Sequence, residues 1–280
     1  MMKNNVVTKV AIIGCGWLGF PLAKSLLALN YRINGSTTSK DKLSALAEKG
    51  IYPFLIDLDG ENPVANMQQF LSVDLLIINI PPGRSVTDGD LYLKKLLYLK
   101  TEILQSTVQK VIFISSTSVY AENNAEQKED SVQLAQSGSG LRMLNAENVF
   151  KNLPHIQTTI IRMAGLIGPK RHPGRFFAGK TDIPNGLAPV NLIHLNDCLG
   201  IIKKVITDGL WNAIFNAAAP THPNKKEFYN LASEKLYGKS AEFIEEKIEF
   251  KIVNAEKIIS KGYQFKHPDL MDCLQTNALN

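Results

Sequence analysis

Apolar positions fall in short runs separated by amphipathic stretches. Lys9–Ile13 is a brief apolar run ending at Gly14, and Trp17–Leu29 behind it puts Leu18, Leu22, Leu26 and Leu29 on one helical face. Tyr31–Ser36 predicts a second strand. Asp41–Glu48 predicts a short helix closed by Gly50, and Ile51–Ile56 a third strand. Met67–Leu71 is weakly helical. Asp74–Ile80 and Lys110–Ser115 are nearly continuous apolar runs, the mark of strands covered on both faces. Pro81-Pro82-Gly83 stops the first of them, and the helical pattern Leu91–Val108 leads into the second. The polar residues 121–140 read as a loop, Leu141–Leu153 as a helix ending before Pro154, and Thr158–Met163 as a sixth strand.

Repeated strand–helix alternation predicts the α/β class: a Rossmann-type, doubly wound parallel sheet with right-handed crossovers. Beyond Met163 the regularity fades. Gly165–Pro189, rich in Gly and Pro, reads as an irregular excursion. A short strand Asn191–His194, a helix Leu195–Thr207 and a seventh strand Asn212–Ala217 follow, and residues 224–266 form charged helix and strand. The expected organisation is a nucleotide-binding domain over 1–163, completed by 190–219. Residues 164–189 and 220–280 make a small, discontinuous substrate lobe.

The 280 residues, 45% hydrophobic and 20% charged, exclude disorder and coiled coil. No apolar run reaches the ~20 residues of a membrane helix. The start, Met1–Asn5, lacks the apolar stretch of a secretory signal. Three cysteines without a paired motif point to free thiols, so a cytoplasmic protein is expected. The net charge of +5 is local. Residues 151–180 hold six basic groups and no acidic one, which leaves 25 basic against 26 acidic residues elsewhere. That distribution suits a small anionic ligand better than nucleic acid, which favours a broad basic stripe.

Gly14-Cys15-Gly16-Trp17-Leu18-Gly19 is a GxGxxG loop standing between a strand and a helix, the context in which it cradles a dinucleotide. Gly14 serves the tight turn, Gly16 backbone approach to a pyrophosphate, and Gly19 helix–sheet packing, with the phosphates on the helix N-terminus. At the end of the second strand, Ser36-Thr37-Thr38-Ser39-Lys40 replaces the carboxylate that would hold an unphosphorylated ribose. Hydroxyls and Lys40 favour a 2′-phosphate, hence NADP over NAD. Asp57, after the third strand, is a candidate for the adenine amino group or a simple surface turn. Asn79-Ile80-Pro81 lies at the carboxyl edge of the fourth strand.

These features, with the strand-five end Ser115-Ser116-Thr117-Ser118-Val119-Tyr120, Arg162…Gly168-Pro169 and Asn191-Leu192-Ile193-His194-Leu195-Asn196-Asp197, resemble the extended short-chain dehydrogenase/reductase superfamily of epimerases and dehydratases. The resemblance implies a nicotinamide cofactor and a substrate-orienting hydroxyl at Ser116, with Thr117 beside it. It also implies pairing of two copies through the helical segments 88–106 and 140–153. The family's acid–base Tyr-x-x-x-Lys pair would fall at Ser139 and Met143, and no Tyr-x-x-x-Lys occurs in residues 121–160. The chain therefore looks like an atypical member. Arg142 is the nearest cation for a ribose, but a guanidinium cannot act as base.

In the basic segment, Arg171 and Arg175 are candidate clamps for a substrate anion, and His172, with a pKa near neutrality, is a candidate acid or base. No spacing suggests a metal site. Two functions are expected to compete. One is an NADP-dependent oxidoreductase or epimerase/dehydratase-like enzyme acting on a small anionic, sugar-nucleotide-like substrate through a non-standard proton donor. The other is a catalytically silent NADP-binding module that senses redox state.

Overall fold

A computed structural model of the chain describes residues 7–58, 64–82, 88–276 and 278–279, with backbone alone for 88–90. The start Met1–Asn5 and Gly83 of the predicted stop lie outside the described residues. The first half alternates strand and helix. It runs β1 (Lys9–Ile13), α1 (Gly19–Leu27), β2 (Arg32–Thr37), α2 (Leu43–Ala47), β3 (Tyr52–Leu55), α3 (Met67–Phe70), β4 (Leu75–Ile78), α4 (Asp88–Leu104) and β5 (Lys110–Ser116). Then come β6 (Ala125–Gln127), α5 (Gly138–Phe150), β7 (Gln157–Met163), β8 (Gly165–Ile167), β9 (Leu192–His194), α6 (Leu195–Thr207) and β10 (Ile214–Ala217). The chain closes with α7 (Lys225–Tyr237), β11 (Lys251–Val253), α8 (Glu256–Ser260) and α9 (Leu270–Gln275).

Seven strands form one sheet in the order β10-β7-β5-β4-β1-β2-β3. Val10 stands opposite both Ile33 of β2 and Leu75 of β4, in parallel register. The apolar runs of β1, β4 and β5 are buried because helices cover both faces, as their unbroken hydrophobicity implied. The strand order reverses direction at β1/β4, and doubly wound sheets bind ligands at the carboxyl ends of the strands beside such a reversal.

The expected boundaries shift where polar groups found partners. The fourth strand starts at Leu75 because Asp74 turns its carboxylate to the backbone N–H groups of Thr8 and Lys9, at 2.7 and 2.9 Å. The predicted loop 121–140 contains β6, which pairs in parallel with β11 across more than a hundred residues of sequence. The predicted excursion after Met163 contains β8, paired with β9. Three residues of polar sequence in β6, and of Gly-containing sequence in β8, are too short to show a period.

The chain divides into two compact units. The first comprises residues 1–115, 141–161 and 202–214, and the second 116–140, 162–201 and 215–280. The core of the second unit gathers Ile167, Val190, Leu192, Phe228, Leu270 and Leu274 around α7 and α9. No helix among the described residues is long and apolar enough to cross a membrane.

Candidate functional site

In the first unit the glycine loop turns sharply out of β1, and its three glycines are needed for different reasons. Gly14 has φ +101°, and a Cβ there would stand 2.4 Å from the carbonyl oxygen of Asn79. At Gly19 a Cβ would meet the carbonyl oxygen of Gly14 at 2.2 Å. Both glycines are demanded by the turn itself. A Cβ on Gly16 would meet nothing within 4 Å, and its backbone is not left-handed. Internal packing thus places no demand for glycine at Gly16, and its backbone is open to close approach.

Neighbouring strand ends hold the turn. Gly14 donates its N–H to Ser36 Oγ at 3.0 Å, Cys15 donates to the Ser36 carbonyl at 2.9 Å, and Asn79 Nδ2 donates to the Gly14 carbonyl at 3.0 Å. The first turn of α1 has no side-chain cap and no acidic residue, so its N–H groups and dipole are disposed toward an anion. Trp17 is half-buried and Leu18 buried. These residues fit a dinucleotide pyrophosphate.

At the end of β2 the hydroxyl of Ser36, buried and bonded to Gly14, is committed to the loop and is not a free phosphate ligand. Thr37 Oγ1 accepts from the Ser39 N–H at 3.2 Å, whereas Thr38 and Lys40 are exposed and Ser39 half-buried. Asp57 is exposed just past β3. Ile80 offers its carbonyl to the Tyr92 hydroxyl at 3.1 Å, and Pro81 is exposed. Ser115 is buried and donates to Glu147 Oε1 of α5 at 2.5 Å, so its hydroxyl too has a protein partner. Arg142, also on α5, has a buried Nε without a hydrogen-bond partner among the described residues. Met143, where the resemblance would place the family's Lys, is buried, and Ser139, where it would place the Tyr, is exposed.

In the second unit Ser116 Oγ caps the turn after β5, accepting from the Ser118 N–H at 3.1 Å, and Thr117 beside it is buried. Tyr120 is a structural anchor. Its buried hydroxyl donates to Asn216 Oδ1 at 2.7 Å and accepts from Arg162 Nη1 at 2.8 Å. Burial raises its pKa despite the guanidinium. His172 caps a 3-10 turn, its Nδ1 accepting from the Gly174 N–H at 3.1 Å. Burial, then Arg175, lower its pKa, so the imidazole is neutral with its proton on Nε2. Arg171 and Arg175 are both exposed, and Arg175 donates to the Lys170 carbonyl at 3.2 Å.

A cavity of about 390 Å³ opens in this unit between the segment before β9, the start of α7 and the residues before β11. Tyr229, Lys225, Asn185, Glu122 and Glu249 line it, and Arg171, His172 and Arg175 do not. Sequence reading missed these residues. They lie up to 127 positions apart, and no local pattern joins them.

No family model matches the chain. Protein YeeZ of Escherichia coli (strain K12) is 35% identical over 266 residues, covering 93% of this chain and 97% of YeeZ. Among solved structures, UDP-glucuronic acid 4-epimerase from Bacillus cereus in complex with NAD is 19% identical. It covers 95% of this chain and 94% of its own at a TM-score of 0.77. A human epimerase family protein with NADPH is 17% identical, covering 97% and 99% at 0.73. A short-chain dehydrogenase/reductase superfamily protein from Agrobacterium tumefaciens with bound NAD is 15% identical, covering 96% of each chain at 0.78. The chain belongs to the family of protein YeeZ, and its fold is shared with these solved epimerase and short-chain dehydrogenase/reductase structures.

Proposed function

We propose that the protein is an NADP-dependent oxidoreductase or epimerase/dehydratase-like enzyme acting on a small anionic, sugar-nucleotide-like substrate. The observation that carries this reading is Gly16: an open backbone position at an uncapped helix start, beside the strand-order reversal. The nicotinamide and NADPH ligands named for the similar structures support it. The cofactor supplies a hydride acceptor or donor. In this reading the N–H groups at the start of α1 bind its pyrophosphate, while Thr38, Ser39 and Lys40 bind the 2′-phosphate. Asp57, Ile80 and Pro81 border the adenine and ribose, and the Arg142 guanidinium stands in for the absent Lys. Ser116 and Thr117 orient the substrate. Arg171 and Arg175 hold its anionic group, and the His172 Nε2 proton is the one available for transfer. Two copies pair through α4 and α5; Leu97 and Leu104, seven residues apart on α4, are both close to half exposed.

A second reading, a silent NADP-binding module that senses redox state, is favoured by one observation. Tyr120, the tyrosine nearest the candidate site residues Ser116 and Thr117 in sequence, is locked between Asn216 and Arg162 and cannot serve as a mobile acid. A fluorescence titration with NADPH and with NADH tests the cofactor: NADPH is expected to bind tighter, and Gly16→Ala to weaken it at least tenfold. Binding of neither nucleotide sinks both readings. Given NADPH binding, hydride exchange with a carbonyl substrate selects the enzyme, and its absence across a broad substrate panel selects the module.

A further inference from the structure

The cavity of the second unit has a definite polar inventory. Its acceptors are carboxylates: Glu249, which makes no ion pair with any described residue, and Glu122, whose charge is matched by Lys251 Nζ at 2.7 Å. Among its lining residues, those that carry side-chain donors are Tyr229, Asn185 and Lys225. The Tyr229 hydroxyl bonds to no described residue and is held protonated because burial pushes its pKa up to about 12. The Asn185 Oδ1 is already taken by the Ile248 N–H, which leaves its amide N–H groups to face a ligand. Lys225 spends one N–H on the Pro184 carbonyl at 2.9 Å.

Two classes of ligand fit this inventory poorly. A phosphate or diphosphate would find no net positive charge: Lys251 is already matched to Glu122, and the ammonium of Lys225 stands against the carboxylate of Glu249. An organic cation would look for an open aromatic face. Here Lys225 Nζ already lies 5.3 Å from the Phe177 ring and Lys247 Nζ 4.2 Å from that of Phe250. Counting Lys251 with Glu122 and Lys225 with Glu249, the walls carry no net charge. They present strong acceptors and strong donors side by side. The group that satisfies both at no charge is the hydroxyl, which donates to a carboxylate and accepts from a phenol, amide or ammonium. The volume lies in the range of small-molecule sites and admits a single ring of that kind.

We propose that this cavity binds an uncharged polyhydroxylated ligand, a neutral sugar or cyclic polyol, with Tyr229 as the specificity-determining donor and Glu249 as the principal acceptor. The inference goes beyond the nicotinamide reading and does not depend on it.

The test is saturation-transfer NMR and calorimetry on the full chain without nucleotide, with methyl β-glucoside and myo-inositol as neutral probes. UDP and pyrophosphate are the anionic probes and spermidine the cationic one. At least one neutral probe is expected to bind, and Tyr229→Phe, which keeps the ring and deletes only the hydroxyl, to weaken it about three- to tenfold. Gly16→Ala is expected to leave this binding unchanged, so failure of the cofactor reading stays distinguishable. The proposal is overturned if UDP or pyrophosphate binds more tightly than every neutral probe and loses that binding in Lys225→Met. It is equally overturned if spermidine is preferred, if no neutral probe binds at tens of millimolar, or if Tyr229→Phe binds as the parent does.

Discussion

The side-chain amide of Asn79 donates to the carbonyl of Gly14 across 3.0 Å, tying the end of β4 to the glycine turn that leaves β1. The two residues are 65 positions apart in sequence. The same amide would stand 3.2 Å from a Cβ on Gly19. One side chain therefore supports both the turn and the close entry of α1. Asn79→Ala removes this support and leaves the Gly14 carbonyl without its partner. It is expected to lower stability by about 1 kcal/mol, and to weaken NADPH several-fold by loosening the loop. Urea denaturation and nucleotide titration of the same variant check both effects.

The loop glycines separate folding from binding. Gly14→Ala and Gly19→Ala bring a methyl group within 2.4 Å of fixed backbone oxygens, and Gly14 adds a left-handed φ. Each is expected to cost more than about 2 kcal/mol. Gly16→Ala meets no atom of the described residues within 4 Å and is expected to change stability by less than about 0.5 kcal/mol, while its nucleotide affinity falls. Thermal melts of the three variants, set beside their NADPH titrations, measure the split.

Tyr120→Phe strips a buried hydroxyl from both Asn216 and Arg162 and leaves each with an unmet hydrogen bond. A loss of about 1–3 kcal/mol is expected. Because the hydroxyl is structural, the pH dependence of any turnover should be the same in the variant and the parent. A displaced alkaline limb in the pH–rate profile would show that Tyr120 takes part in proton transfer.

Acid should destabilise the fold through buried histidines. His194 is buried, with Nδ1 accepting from the Asn196 N–H and Nε2 bonded to the Ala278 carbonyl, and its ring lies 3.9 Å from that of His267. Burial lowers its pKa against a smaller opposing effect of the hydrogen bond to the Ala278 carbonyl, while His267 lowers it and Asp197 raises it by less. His172 and His222 are lowered too, mainly by burial. The unfolded chain thus binds more protons than the native one below a pH of about 6.5. The stability these neutral histidines contribute is present above that pH and lost as pH falls through their folded values. Melting temperature is expected to drop between pH 7 and pH 5, with a shallower drop in His194→Gln; equal slopes would remove His194 from the account.

Thiol chemistry should be slow throughout. Burial pushes the Cys15 thiol up to about 12 and Cys273 up to about 11, and Cys198 is raised as well. Little reactive thiolate exists at pH 8, so labelling with a disulfide reagent should be slow in the native protein and complete after denaturation. A fast-reacting equivalent in the native state would contradict the placement of these side chains.

The periodicity of β1, β4 and β5 and the position of the glycine loop were legible from residue order, because burial on both faces and a strand–turn–helix connection leave local marks. The same local reading left β6 and β8 as irregular, since three-residue strands of polar or Gly-containing sequence carry no period. It also counted Ser36 among the hydroxyls for a 2′-phosphate. Tertiary structure commits it to Gly14, a partner 22 residues away, and ties Ser115 to Glu147, 32 residues away.

By itself the sequence determined the α/β class, the order of the main strands and the dinucleotide-type turn, all consequences of spacing within a few residues. Only the tertiary structure decided which polar groups remain open to a ligand, that Tyr120 is anchored, and that Glu122, Asn185, Lys225, Tyr229 and Glu249 face one cavity. A hydrogen bond or a cavity wall joins residues through the folded path of the chain, and that closure leaves no trace in their sequence neighbours.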